Sequence, residues 1–282
     1  MKTKRIIYLI LLCSILPVLA MAQSPVLHLS FDNHLNGSYG EEPSYHNENQ
    51  AISFEAGVSG NAAYFPSQGV LRYLAAGNIS SLRGTLAYWI KPDWKGTNDH
   101  KVFTYGGTGG MQFGTDGNGY YASLINRATG AGEIYANFST NDWTDGVWYH
   151  IAHVWDNQAA DNRDALRVYV NGVMLARNDA SRDASNIHEI DANDFQLGGY
   201  GQDFSLQGSL DELFIYDFPL NDTEIIALYE QKDLPVSLVL PFDGVVTGLA
   251  GEQPSMYNYT IPVDFREGVI DQAAFFPEGS RL

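Results

Sequence analysis

Residues 27–71 and 238–282 read as one sequence written twice. The two stretches align without a gap at a constant offset of 211, and 18 of 45 positions are identical. Chance alone gives about 3 matches at ordinary residue frequencies of roughly 7%. The matches include Phe31/Phe242, Asp32/Asp243, Gly37/Gly248, Glu41/Glu252, Pro43/Pro254, Gly57/Gly268 and Phe65/Phe276. A period this long sets one domain over residues 26–231 and the opening of another at 238, joined by a linker over 232–237 that contains Pro235. A 45-residue piece is too small to bury a sandwich core by itself. The segment 238–282 is therefore expected to be the N-terminal fragment of a second, truncated domain.

Within the first unit the pattern is strands and turns. Residues 84–92 form a continuous run rich in β-formers, as a central strand of a sandwich requires. Residues 111–125 read as a hairpin turning at Asp116-Gly117-Asn118-Gly119, and 166–176 as another turning at Asn171-Gly172, the strongest short turn signal in the chain. Leu166, Val168 and Val170 share one face of that second hairpin. Only 220–231 looks helical, with Asn221 placed to cap and Glu224 three residues on. Many short strands, glycine-rich turns and one terminal helix predict an all-β fold: a two-sheet antiparallel jelly-roll sandwich with a short C-terminal helix.

The first 22 residues stand outside that fold. Lys2, Lys4 and Arg5 precede an apolar run from Ile6 to Ala20, and Ala20-Met21-Ala22 offers a small-residue cleavage site. This is the form of a signal peptide, so the chain is expected to be secreted, at the cell surface or periplasmic, with no membrane insertion after cleavage. The signal would take with it the one cysteine, Cys13, and three of the 16 basic residues, but none of the 33 acidic ones. A mature surface that acidic disfavours nucleic acid and anionic membranes and suits cations, calcium in particular.

The order of the strand segments carries a resemblance. LHLSFD (27–32), GVSGNAAYF (57–65), GTLAYWIKP (84–92), VWYHIAHVWD (147–156), LRVYVNGV (166–173), FQLGGYG (195–201) and GSLDELFIYDFPLNDTEIIALY (208–229) are similar to the laminin-G-like jelly rolls of the concanavalin A-like lectin/glucanase superfamily. The last motif is the most specific, through Gly208, Asp211, Glu212, Ile215 and Tyr216 and then Leu220 and Leu228-Tyr229. Trp148, His150 and Trp155 fit the strand before it. The resemblance implies the sandwich fold and a leaning toward glycan or protein binding. A fold of this kind hosts many functions, so no single ligand follows from it.

Three constellations could carry chemistry. Strand alternation places Asp211 on one side with Leu213 and Ile215, facing the interior, where a carboxylate needs a partner or a metal. The resemblance implies a calcium near the first and last strands, where Asp32 and Asp211 would lie, with Glu41 a weaker third ligand. Trp94, Tyr105, Tyr120, Trp143 and Tyr200 fall in or beside turns and are candidate sugar-stacking residues, although aromatics so placed also serve as core caps. Glu189-Ile190-Asp191 resembles the paired-carboxylate strand of retaining glucanases. Here it follows a polar loop and ends in Asp194 where those enzymes carry a glutamate, which favours a loop. His150 and His153 lie on opposite faces of one strand and form no metal pair.

These readings predict a secreted, non-catalytic module that binds carbohydrate, either polysaccharide or cell-surface glycan, with calcium as a structural cofactor. Two alternatives stay open. One is an adhesion or matrix protein that binds extracellular proteins through tandem jelly rolls. The other is an accessory domain of a glycoside hydrolase whose catalytic part lies beyond residue 282.

Overall fold

A computed structural model describes residues 24–94, 99–106, 110–116, 119–125, 133–179, 181–199, 204–230, 264–267 and 272–275. The signal segment, Tyr200 and most of the second repeat lie outside the described residues. None of the described helices is long and apolar enough to cross a membrane.

Two antiparallel sheets face each other. The first contains β1 (Leu27–Leu29), β3 (Ser53–Ala56), β4 (Asn61–Phe65), β6 (Arg83–Pro92), β11 (Tyr149–Asp156), β12 (Leu166–Val170), β13 (Val173–Arg177) and β15 (Gly208–Tyr216). Its order is β13-β12-β11-β6-β15-β4-β3, with β1 also paired to β15. The second contains β2 (Tyr45–His46), β5 (Val70–Leu74), β7 (His100–Tyr105), β8 (Met111–Asp116), β9 (Gly119–Ile125), β10 (Glu133–Phe138) and β14 (Asp194–Gly198), in the order β10-β9-β8-β7-β14-β5-β2. The helix α1 (Asp222–Glu230) follows β15. This is the expected jelly-roll sandwich with one short C-terminal helix.

Alternation along each strand builds the core. Leu86, Tyr88 and Ile90 of β6, Ile151 and Trp155 of β11, and Leu166, Val168 and Val170 of β12 meet Leu71, Tyr73, Phe103, Phe113, Tyr120 and Phe195 of the facing sheet. Burying a side chain of that size contributes about 1.5–3 kcal/mol. The outer side of the first sheet carries a smaller cluster, in which Ala87, Ala152, Val154, Tyr169 and Tyr216 pack with Ile225 of α1. Local signals act where they occur in the sequence. Asn171 and Gly172 take φ of 49° and 77°, as the tight β12–β13 turn demands. Asn221 Oδ1 accepts the amides of Thr223 and Glu224 at 3.0 and 3.1 Å, while Glu224 Oε2 accepts that of Asn221 at 2.8 Å, which closes a capping box.

Beyond the linker, β16 (Asp264–Glu267) pairs with β17 (Gln272–Phe275). Their register, Phe265 opposite Ala274 and Glu267 opposite Gln272, is that of Phe54 opposite Ala63 and Ala56 opposite Asn61 in β3–β4, moved by 211.

Candidate functional site

Asp32 and Asp211 meet at one corner of the first sheet, around the turn between β3 and β4. Asp211 Oδ2 accepts the amides of Val58 and Ser59 at 2.6 and 3.1 Å, and its Oδ1 accepts that of Glu212 at 2.9 Å. Asp32 Oδ1 accepts the amide of Asn61 at 2.8 Å. The turn leaves no room beside either carboxylate. A Cβ on Gly57 would sit 2.3 Å from Asp211 Oδ2, and one on Gly60 would sit 2.0 Å from Asp32 Oδ1. The backbone at the corner is strained: Phe31 and Asn33, on either side of Asp32, have φ of 57° and 62°, and Glu212 has 44°.

Asp211 does not share the interior with Leu213 and Ile215. The pairing of β15 with β6 shifts register between Asp211 and Phe214, so Leu210 takes the core position instead. This bulge resets the alternation. Asp211 stands opposite Trp89, whose ring stacks on Tyr229 of α1 on the outer side of the sheet. It is nonetheless fully buried, under the 57–61 turn. Burial pushes its carboxyl up to about 7, against the opposing pull of the Ser59 and Val58 amides; the neighbouring charge of Glu212 adds to the rise. Glu212 itself faces His28: Oε2 lies 2.8 Å from Nε2, and Nδ1 of the same ring lies 2.9 Å from Ser38 Oγ.

Asp211 is buried, where negative charge is costly, and the exposed Asp32 lies across the same turn; carboxylate oxygens are the donor type a hard cation takes. Glu41 is not part of this corner. Its Oε2 turns back to the Tyr39 amide at 3.2 Å, and among the described residues no three His, Cys, Asp or Glu side chains gather as a metal site.

The five candidate aromatics divide differently from the sequence reading. Tyr120 is fully buried, with its hydroxyl on Tyr88 and His153, and presents nothing to a ligand. Tyr105 is 4% exposed and its hydroxyl donates to the Ile190 carbonyl at 2.6 Å. Both share the inward face with core residues two positions away, Tyr105 with Phe103 and Tyr120 with Ala122, which explains the correction. Trp94 and Trp143 are half-buried against the core; they stack on each other at 5.7 Å, with His100 and Tyr149 at the two ends of the ladder. Trp94 Nε1 donates to the Leu206 carbonyl at 2.7 Å, so the ladder caps one end of the sandwich. Tyr200 lies outside the described residues. Glu189 holds the 80–81 segment through the Ser80 hydroxyl and the Ser81 amide, outside any strand, as the loop reading requires.

A more continuous surface crosses the second sheet. The pairings Tyr45–Arg72, Arg72–Gln196, Gln196–Thr104, Thr104–Gln112, Gln112–Ser123 and Ser123–Tyr135 link all seven strands in one row. Every neighbour of these residues along its own strand that belongs to the core points the other way, so the row lies on the outer face. At about 4.8 Å per strand step the row spans roughly 29 Å. It is polar throughout, with a tyrosine at each end. The next row outward pairs Lys101 with Gly114, Gly114 with Tyr121 and Tyr121 with Asn137.

Three cations on this face lie over rings: Arg72 over Tyr45 at 4.9 Å, Lys101 over Tyr121 at 4.4 Å and Arg182 over Tyr135 at 5.2 Å. Burial lowers the Lys101 ammonium pKa, opposed by the charges of Asp99 and Asp116. Thr104, Ser123 and Gln196 are buried although they face away from the core, so this polar face is sheltered. Alternation in each strand gives the outward residue. The row itself depends on strand order, which no single segment encodes.

The model of a family described as the concanavalin A-like lectin/glucanases superfamily matches residues 67–226. No curated protein matches the chain. Among solved structures, the chain is similar to domain 4 of AbnA, a GH43 extracellular arabinanase from Geobacillus stearothermophilus in complex with arabinotriose. The TM-score is 0.55 at 23% identity, over 73% of this chain and 98% of that one. It is also similar to the botulinum neurotoxin serotype G binding domain, with a TM-score of 0.57 at 13% identity over 90% of this chain and 65% of that one. For the serotype D ligand-binding domain in complex with N-acetylneuraminic acid the values are 0.56 and 13%, over 77% and 52%. The chain thus spans less than two thirds of either toxin domain. At these identities the likeness is one of fold.

Proposed function

The chain belongs to the concanavalin A-like lectin/glucanase superfamily, and from that membership we propose that it is an exported, non-catalytic module that binds carbohydrate on the outer face of its second sheet. The carrying observation is the row Tyr45–Arg72–Gln196–Thr104–Gln112–Ser123–Tyr135. Amide and hydroxyl side chains in line match the donor and acceptor pattern of sugar hydroxyls, and rings at the ends offer stacking faces. The fold neighbours, captured with arabinotriose and N-acetylneuraminic acid, support the class of ligand. Isothermal titration with a panel of soluble polysaccharides tests the reading. Binding is expected for at least one, and a Tyr45→Ala/Tyr135→Ala double substitution is expected to weaken it about tenfold or more without lowering the melting temperature. Unchanged affinity in that variant would place the ligand elsewhere.

Two further parts of this reading rest on separate observations. Calcium at the Asp32–Asp211 corner would offset the buried negative charge there, and the strained backbone on each side supports a shaped site. A tandem organisation is supported by the β16–β17 register, which repeats that of β3–β4 at the sequence offset of 211. In that organisation neighbouring modules raise avidity for a long polymer.

A further inference from the structure

Arg72 is the exposed cation at the centre of one end of the row, and it is held in place without an acid. Its Nε donates to Gln196 Oε1 at 2.9 Å and its guanidinium lies over the Tyr45 ring at 4.9 Å. No described carboxylate forms an ion pair with it. The acid on the neighbouring strand is engaged elsewhere: Asp194 Oδ1 accepts from Ser44 Oγ at 3.0 Å. Lys101, the other cation of this face without an ion pair among the described residues, is held by Tyr121, whereas Arg72 has both a side-chain amide and a ring. With Nε committed and one face of the guanidinium on a ring, the two Nη groups, which have no partner among the described residues, form a fixed fork. A planar fork of N–H donors matches two oxygens of an anion, and its orientation costs little further entropy because it is already set.

We propose that the ligand of this face is an acidic glycan, and that Arg72 is the specificity-determining residue that grips its anionic group. The proposal rests on the carbohydrate reading of the row and narrows it to sugars bearing a carboxylate or a sulfate. The chain's overall negative charge does not oppose it, since at physiological salt charges beyond about 8 Å are screened and the local fork decides. Gln196 and Tyr45 act as positioning residues, one fixing Nε and the other the plane.

Titration of the full chain with matched pairs tests this. The pairs are polygalacturonate and its methyl ester, hyaluronan and its carboxyl-reduced form, and dextran sulfate and dextran. At least one acidic member is expected to bind about tenfold or more tighter than its neutral counterpart, the ratio that a charge-assisted hydrogen-bond pair supplies. Arg72→Gln is expected to bring that ratio to near one while the melting temperature holds. Arg72→Lys, which keeps the charge and loses the fork, should retain only part of it. Preference in the carboxylate pairs or in the sulfate pair identifies the anion. Neutral glycans bound with no acid preference, or a preference that survives Arg72→Gln, would overturn the proposal and leave the carbohydrate reading standing. Absence of binding to every glycan in the panel would remove the carbohydrate reading and this proposal with it.

Discussion

Two buried histidines make the fold sensitive to mild acid, and the size of the effect can be worked out. His150 is enclosed by Trp89 and Tyr229 on the outer side of the first sheet, and His153 by Tyr88, Phe113 and Tyr120 in the core. Burial lowers each imidazole from 6.5 to about 3. Because the folded value lies below the unfolded one, the stabilising contribution is complete above pH 6.5 and is lost progressively as pH falls toward 3. Between pH 7 and pH 5 each histidine gives up about 2 kcal/mol, and the pair about 4 kcal/mol. For a domain near 200 residues that corresponds to a fall of roughly 8–16 °C in melting temperature. The assay is thermal unfolding of wild type and of a His150→Gln/His153→Gln variant at half-unit pH steps. Glutamine lowers the absolute stability but does not titrate, so the variant's curve should be flatter by that amount. Asp211 contributes with the opposite sign, since its raised carboxyl costs stability as pH rises toward 7, but it is common to both proteins and cancels in the difference. Parallel pH profiles in the two proteins would refute the buried, neutral state of these rings.

Three more predictions concern the corner and a glycine outside it. Gly60→Ala, which places a Cβ 2.0 Å from Asp32 Oδ1 at a φ of +58°, should cost about 1–3 kcal/mol in urea unfolding. Gly40→Ala, with φ +96° but open space around it, should cost only the backbone strain, about 1 kcal/mol. Calcium should raise the melting temperature of chelator-treated wild type and leave Asp211→Asn unmoved; an equal rise in both, or none in wild type, would remove the metal from this corner.

What could be read from the sequence was local. The Asn171-Gly172 turn, the Asn221–Glu224 cap and the β6 run each depend on residues within one segment, and each takes its expected form. Where the reading failed, a nonlocal or irregular feature intervened. The side that Asp211 occupies turns on a one-residue bulge beside a positive φ at Glu212, which simple alternation cannot register. The burial of Tyr120 was encoded, through its parity with Ala122 and Leu124, but its place beside a turn pointed to the surface. The polar row was hidden more deeply. Gln196 comes between Arg72 and Thr104 only because β14 inserts between β5 and β7, and β14 is distant from both in the chain.

The corner and the row belong to different sheets, and the repeat separates their roles. The corner ties three distant parts of the chain, at Asp32, at the 57–61 turn and at Asp211, and so fastens the first strand to the last. Any copy of the domain needs that closure, whatever it binds. Accordingly Asp32 and Gly57 recur as Asp243 and Gly268 in the second stretch, and the hairpin register between them recurs as well. A ligand row carries no such obligation. Tyr45, the ring beneath Arg72, has Met256 as its counterpart. Methionine gives an apolar surface but no aromatic plane on which to hold a guanidinium. Under the proposed tandem organisation, therefore, the copies share the Asp32 and Gly57 positions and the hairpin register, whereas Gly60 becomes Asp271 and the ring under Arg72 becomes Met256. An acid preference that depends on Tyr45 to hold the guanidinium is expected to be weaker in a copy with methionine at that position.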